Sequence, residues 1–436
     1  MTYTLDNARS LGALAAILLL CWLLSENKRR FPFLLTLGAL SVQASLVLAL
    51  FALPNSRIAL DAVGGVIGGL ADATDRGTQF VFGFLGGGDQ PYAPARAEAP
   101  LPFLFGFRVL PLILVISALS ALLWHWKILK WITQGFGLLF QRTMGLTGPS
   151  ALAVAANIFM GMVESPIVIR AYLERLTRSE LFLMMVVGLA TVAGSTMVAY
   201  VTLLDPGAPG GADAAFHNVA GHVLMASIIS APAGILLARI MVPEDKSGAH
   251  LEPGEDLKYQ SSMDAVTRGV QDGVMVAVNV AAFLVVFVAF VWIVNNMLAG
   301  FGDVAGAPLT LQRIFGYVFA PVAYMIGVPW SEAQVAGGIL GQKLFLTEFI
   351  AFIELGNLPA DALSPRSTMI LTYAICGFAN VASVGIMTGG MTVLMPQRRD
   401  EIFSLAWKSL IPGFLATLMT AAVVAALPEG MFGARP

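Results

Sequence analysis

Apolar residues fall along this chain in long blocks, not in strand-like alternation. Four blocks carry no charge at all: 31–54, 181–204, 273–301 and 367–397. Each reaches the ~20 residues that a helix needs to cross ~30 Å of hydrocarbon. Shorter blocks lie at 11–24, 109–124, 223–238 and 409–427. The pattern predicts an all-α polytopic membrane protein with about eight transmembrane helices. Two further stretches, 146–171 and 330–359, are apolar but interrupted. The first is rich in Gly, Ala and Ser and runs into Glu164, Pro166 and Arg170; the second holds Glu332, Lys343, Glu348 and Glu354. A charge at membrane depth costs at least ~2.5–3.5 kcal/mol on insertion scales, so such segments belong against protein or water. Re-entrant hairpins satisfy that requirement. Residues 127–142 (KILKWITQGFGLLFQR) read as an amphipathic surface helix, with 309–326 as its counterpart on the other face.

Composition sharpens the picture. Hydrophobic residues make up 57% of the 436 and charged residues 12%, against a usual charged share of about 25%. The net charge of -2 argues against a nucleic-acid partner, which would need a basic face. Cys21 and Cys376 lie inside apolar blocks and read as buried thiols, with no disulfide or metal site expected. The first block is a retained span and not a signal peptide, because it lacks a basic leader and a small-residue cleavage site, and Lys28-Arg29-Arg30 follow it.

Charge also orients the chain. With a periplasmic N-terminus, alternating spans and two hairpins that return to the side they entered from, most of the 25 Lys and Arg fall on the cytoplasmic side. Both termini are then periplasmic in a bacterial inner membrane, and 55–102 is a long outer loop. The domain expectation is scaffold spans in 1–126, a first transport half in 127–242, a cytoplasmic loop in 243–272, a scaffold span in 273–307 and a second transport half in 308–436.

Two distant segments repeat. Arg178-Ser179 precedes Gly188-Leu189-Ala190-Thr191-Val192-Ala193-Gly194, and Arg366-Ser367 precedes Gly377-Phe378-Ala379-Asn380-Val381-Ala382-Ser383. Each follows a proposed hairpin, and the hairpins enter from opposite sides. An inverted repeat with interrupted helices points to a secondary transporter with its site near the midplane. At the breaks lie Asn157, Glu164, Thr191, Ser195, Glu348, Asn380 and Ser383. Unwound carbonyls there can coordinate a cation. The plainer alternatives are hydroxyls bonded to their own helix for Thr191, Ser195 and Ser383. For Glu164 and Glu348 the alternative is a structural ion pair, with Lys343 as a candidate partner.

The sequence Gly148-Pro149-Ser150-Ala151-Leu152-Ala153-Val154-Ala155-Ala156-Asn157-Ile158-Phe159, with Gly161 and Glu164, resembles the first hairpin of the concentrative nucleoside transporters. Leu176-Thr177-Arg178-Ser179-Glu180, Val328-Pro329-Trp330, Thr347-Glu348-Phe349, Leu363-Ser364-Pro365-Arg366-Ser367 and Cys376-Gly377-Phe378-Ala379-Asn380 continue the likeness in family order. The resemblance implies a homotrimer, an elevator movement and a symporter driven by Na⁺ or H⁺ as the coupling ion, with no other cofactor. It further implies Asn157, the Met160 carbonyl, Thr191 and the Val192 carbonyl as the Na⁺ site. Glu348, Asn380 and Ser383 would hold sugar hydroxyls, with Phe378 against the ligand. Where the family usually reads Gly-Gln-Thr-Glu-Ala-Pro, this chain has Gly161-Met162-Val163-Glu164-Ser165-Pro166, and Thr196 stands across the pocket. Lost polar partners predict weak binding of ordinary pyrimidine nucleosides. The substrate expectation is a nucleoside-like small molecule, the alternative being another polar ribosyl solute. An enzyme is not expected: His125, His217, His222 and His250 form no array, and no nucleophile pairs with a base.

Overall fold

The computed structural model describes residues 5–52, 56–89, 91, 104–194, 196–197, 200, 204, 219–244, 259–304, 306–359 and 361–428. Helices dominate. In chain order they are α1 (Leu5–Leu23), α2 (Phe33–Ala52), α3 (Ser56–Phe82), α4 (Leu110–His125), α5 (Ile128–Met144), α6 (Gly148–Asn157), α7 (Arg178–Ala190) and α8 (Val219–Met241). There follow α9 (Ser262–Ala299), α10 (Leu311–Met325), α11 (Trp330–Phe345), α12 (Glu348–Gly356), α13 (Pro365–Ile375), α14 (Val381–Leu394) and α15 (Arg399–Ala425). Among the described residues, six helical segments are each long and apolar enough to span a membrane alone: those ending in α1, α2, α4, α8, α9 and α15.

Polar side chains set where helices begin. Thr177 and Glu180 form a reciprocal capping box on α7, and Ser261, Thr310, Thr347, Ser364 and Asn380 each accept a backbone N–H at the start of α9, α10, α12, α13 and α14. Each such cap contributes about 1 kcal/mol. Several residues of the family-like sequence runs are therefore helix starts. The core lies where α8 meets α7 and α15. The spanning window of α8 is 83% buried and that of α9 only 6%, so α9 is peripheral. It crosses α4 at close range, because a Cβ at Gly269 or Gly273 would lie 2.6 or 2.7 Å from the α4 backbone.

Two expectations need correction. Residues 56–82 form α3 and not part of a loop; Asp and Arg scattered among its apolar positions hide a helix whose Asp75 pairs with Arg108 at 3.2 Å. The cytoplasmic loop assigned to 243–272 ends by Ser261, since α9 starts at Ser262. The Ser261 cap and the Asp264–Arg268 pair at 2.9 Å carry the helix beyond its apolar block. Residues 245–258 of that segment lie outside the described residues, as do Ser195, His217 and His250.

The two ends of the bundle differ in charge chemistry. Glu26, just past α1, pairs with Arg178 at 3.1 Å and Lys408 at 2.8 Å. Burial alone would raise its carboxyl, but hydrogen bonds from Lys408 and Arg178 outweigh that and hold it below the usual carboxylate range. At the other end Asn7 donates to the Ala425 carbonyl at 3.0 Å, and Arg366 donates to Gly327 and Ala425 carbonyls at 2.8 and 2.7 Å. Arg178 and Arg366, the matching positions of the repeat, thus stand at opposite ends of α1. The first and last described residues lie at one end.

Candidate functional site

Both repeat segments break in mid-course. Helix α7 stops at Ala190 and helical structure resumes at Gly194; α13 stops at Ile375 and α14 starts at Val381. The breaks touch, for the Phe378 N–H donates to the Thr191 carbonyl at 3.2 Å. Gly377 makes this approach possible, since a Cβ there would lie 2.8 Å from the Ala190 carbonyl oxygen and 2.5 Å from Thr417 Cγ2. Gly377→Ala is therefore expected to destabilise the fold by about 1–3 kcal/mol, read as a lower unfolding midpoint. An unchanged midpoint would mean that the breaks separate at no cost.

On one side of the junction lies the end of α6. Asn157 is buried, its backbone carbonyl accepts from the Thr191 hydroxyl at 3.2 Å, and its Oδ1 accepts from Ser165 at 2.6 Å. The Thr191 hydroxyl also donates to the Val187 carbonyl of its own helix at 2.9 Å, which is the plainer of the two roles considered for it. Ser227 of α8 donates to the Ile158 and Val192 carbonyls at 3.5 and 3.4 Å and accepts from the Val192 N–H at 3.2 Å. The Gly194 N–H donates to the Phe159 carbonyl at 3.0 Å. Asn157, Thr191 and Val192 thus come together around the turn that holds Met160. The Nδ2 of Asn157 is buried with no partner among the described residues.

On the other side, Glu348 opens α12. Tyr200 donates to its Oε1 at 2.8 Å and Asn380 donates to its Oε2. Asn380 is in turn fixed by capping α14, where its Oδ1 accepts from the Ser383 N–H at 2.7 Å. Lys343 forms no ion pair with Glu348; its ammonium donates to Thr417 at 2.9 Å and lies over the Phe414 ring. Sequence reasoning missed Tyr200 and Ser227. Their signal was slight, a tyrosine and a serine in apolar blocks.

Gly161, Met162, Val163 and Glu164 lie in the turn after α6. Gly161 donates its N–H to the Glu164 carboxylate. Glu164 also lines a small cleft with Ser117 and Ser120 of α4 and with Tyr259 and Asp272, the latter on α9. Met162 packs against Gly188 and Val163 against Gly390, where added Cβ atoms would come within 2.9 and 2.6 Å of them. Thr196 donates to the Ala193 carbonyl at 3.0 Å, and Phe378 is 8% exposed at the junction. Among the described residues no group of three or more His, Cys, Asp and Glu gathers as a metal site.

Three family models match: the Na⁺-dependent nucleoside transporter C-terminus over residues 222–425, its N-terminus over 12–85, and a nucleoside recognition Gate over 106–207. The chain is 36% identical over 439 residues to the uncharacterized transporter YutK of Bacillus subtilis, covering 97% of this chain and 98% of that one. It is 31% identical over 423 residues to the nucleoside permease NupC of Helicobacter pylori, covering 95% and 96%. The solved structure of CNTnw in an inward-facing substrate-bound state matches with a TM-score of 0.84 and 32% identity over 97% of both chains.

Proposed function

Since the chain belongs to the Na⁺-dependent nucleoside transporter family, whose members and structural neighbours are transporters and not enzymes, we propose that it is a cation-coupled symporter importing nucleosides or nucleoside-like compounds. In this reading it works as a homotrimer in the bacterial inner membrane, with both termini periplasmic. Helices α6 and α11–α12 belong to two re-entrant hairpins that move with the broken spans as an elevator, while α4 and α9 stay in the scaffold. The observation that carries the reading is the contact between the two helix breaks, with Asn157 and Thr191 on one flank and Glu348 and Asn380 on the other.

Na⁺ would be held by Asn157, Thr191 and the carbonyls of Met160 and Val192, a set of hard oxygen donors suited to a hard cation. The unpaired Asn157 amide supports this assignment. Amide orientation is fixed only by hydrogen bonds, and a half-turn puts Nδ2 on the Ser165 hydroxyl and Oδ1 in the unpaired position. A cation there would order the Thr191 carbonyl that receives the Phe378 N–H. Ion binding would thereby shape the nucleoside pocket, in which Glu348, Asn380 and Ser383 hold the ribose hydroxyls and Phe378 packs against the ligand. Proton coupling through Glu164 is the second reading, favoured by the cleft it shares with Asp272.

Uptake of a panel of labelled nucleosides into proteoliposomes tests the substrate class. Concentrative uptake of at least one nucleoside is expected, and its absence across the panel counts against the reading. Met162 and Val163 offer no hydrogen bond to a base beside Gly161 and Glu164. Two missing neutral hydrogen bonds cost about 1–3 kcal/mol, or roughly 5- to 150-fold in affinity. Met162→Gln with Val163→Thr is expected to tighten uridine binding in a competition assay, more than either change alone. Unchanged binding would mean that both side chains serve only the packing on Gly188 and Gly390.

A further inference from the structure

Tyr200 is fully buried, and the nucleoside-pocket assignment above gives it no role. Its ring stacks on Phe352 with centroids 4.5 Å apart and planes at 10°, and it meets the edge of Phe349 at 4.7 Å. Both phenylalanines stand on α12, the helix that Glu348 opens. Tyr200 itself stands beyond the break of the first repeat segment. The ring is thus wedged into the second hairpin, and its hydroxyl reaches Glu348 Oε1 at 2.8 Å.

We propose that Tyr200 is a specificity-determining residue that positions the Glu348 carboxylate so that it discriminates ribose from deoxyribose. The inference rests on the assignment of Glu348 to the sugar hydroxyls. An ionised carboxylate offers about four acceptor sites. Tyr200 occupies a site on one oxygen and Asn380 a site on the other, each held by its own packing or cap. The two donors fix the plane and rotation of the carboxylate, and the remaining lone pairs have fixed directions. Two adjacent sugar hydroxyls can donate to those lone pairs together. A sugar lacking one of them leaves an acceptor desolvated and unpaired, which is where discrimination arises. Without the phenol, Asn380 is the one remaining side-chain donor on Glu348 among the described residues, and the carboxylate can turn to satisfy a single hydroxyl. The preference for the diol then falls.

The test is competition binding of uridine and 2′-deoxyuridine to the full chain in nanodiscs, for wild type, Tyr200→Phe and Phe352→Leu. Tyr200→Phe keeps the ring and its stacking and removes only the hydroxyl. It is expected to lower the ratio of ribose to deoxyribose affinity about tenfold, the share of one charge-assisted hydrogen bond. Phe352→Leu keeps the phenol but loosens the stacking that aims it, and is expected to lower the ratio as well, by less than Tyr200→Phe does. A Tyr200→Phe variant that weakens both ligands equally has lost mere structure, and that result overturns the proposal. Should Tyr200→Phe fail to fold, the ratio in Phe352→Leu decides, and a ratio unchanged there overturns it. Binding of neither ligand, nor of any other nucleoside, by wild type overturns the nucleoside reading itself.

Discussion

Glu348→Gln is expected to cut nucleoside affinity about 10- to 150-fold while the protein stays folded in the membrane. The carboxylate is buried and takes side-chain donors from Tyr200 and Asn380. A hydrogen bond to a charged group is worth about 1.5–3 kcal/mol, and each sugar hydroxyl would make one. Glutamine keeps an acceptor for Tyr200 but turns its NH₂ toward the Asn380 NH₂, which cannot flip without giving up the cap on α14. The substitution therefore disturbs the site more than the fold. Binding assays on the purified variant, with size-exclusion chromatography and a melting curve, check both halves of this expectation. A stable Glu348→Gln protein with wild-type affinity would remove Glu348 from the site.

A second large effect is expected from Glu180, with the opposite division between stability and binding. Glu180 is fully buried and closes the capping box of α7, accepting the Thr177 N–H at 2.9 Å. It also accepts from the hydroxyls of Thr147 and Ser150 at the start of α6. One carboxylate thus joins the start of α6 to the start of α7. Glu180→Ala removes the cap partner and strands buried donors, at a cost of about 2–4 kcal/mol. Chemical or thermal unfolding measures the loss, and the ligand affinity of the folded fraction is expected to stay near wild type. Normal stability with lost binding would place Glu180 in the site and not in the frame.

The same contrast explains what could be read from the chain. The spans were legible because bilayer solvent writes itself into composition: α8, α9 and α15 stand where long apolar blocks run. The breaks were legible as Gly and Asn within such blocks, and the matching Arg178 and Arg366 do stand at opposite ends of the bundle. Helix α3 was not, because Asp and Arg recur through Ser56–Phe82 and dilute the apolar signal that marks a span. The start of α9 was hidden in the same way by the charges that stabilise it. Within the site, polar residues could be listed but their partners could not. Lys343 looked like an ion-pair partner for Glu348, whereas its ammonium donates to Thr417 and lies over Phe414. Tyr200 comes to Glu348 from 148 positions away in sequence, and no local pattern encodes such a pairing. Thr177 and Glu180 belong to a family-like sequence run, yet their work here is capping. Resemblance marks a position; only geometry separates a ligand from a brace.

The central claim is that a cation bound beside Thr191 drives nucleoside entry, and ion replacement tests it most directly. Proteoliposomes holding the wild-type protein are given a labelled nucleoside that the panel has shown to be carried, at fixed pH, with an inward gradient of either Na⁺ or choline. The account predicts concentrative uptake in Na⁺ and only equilibration in choline. Concentrative uptake in choline that follows an imposed proton gradient would contradict it, and would move the coupling ion from Asn157 and Thr191 to Glu164.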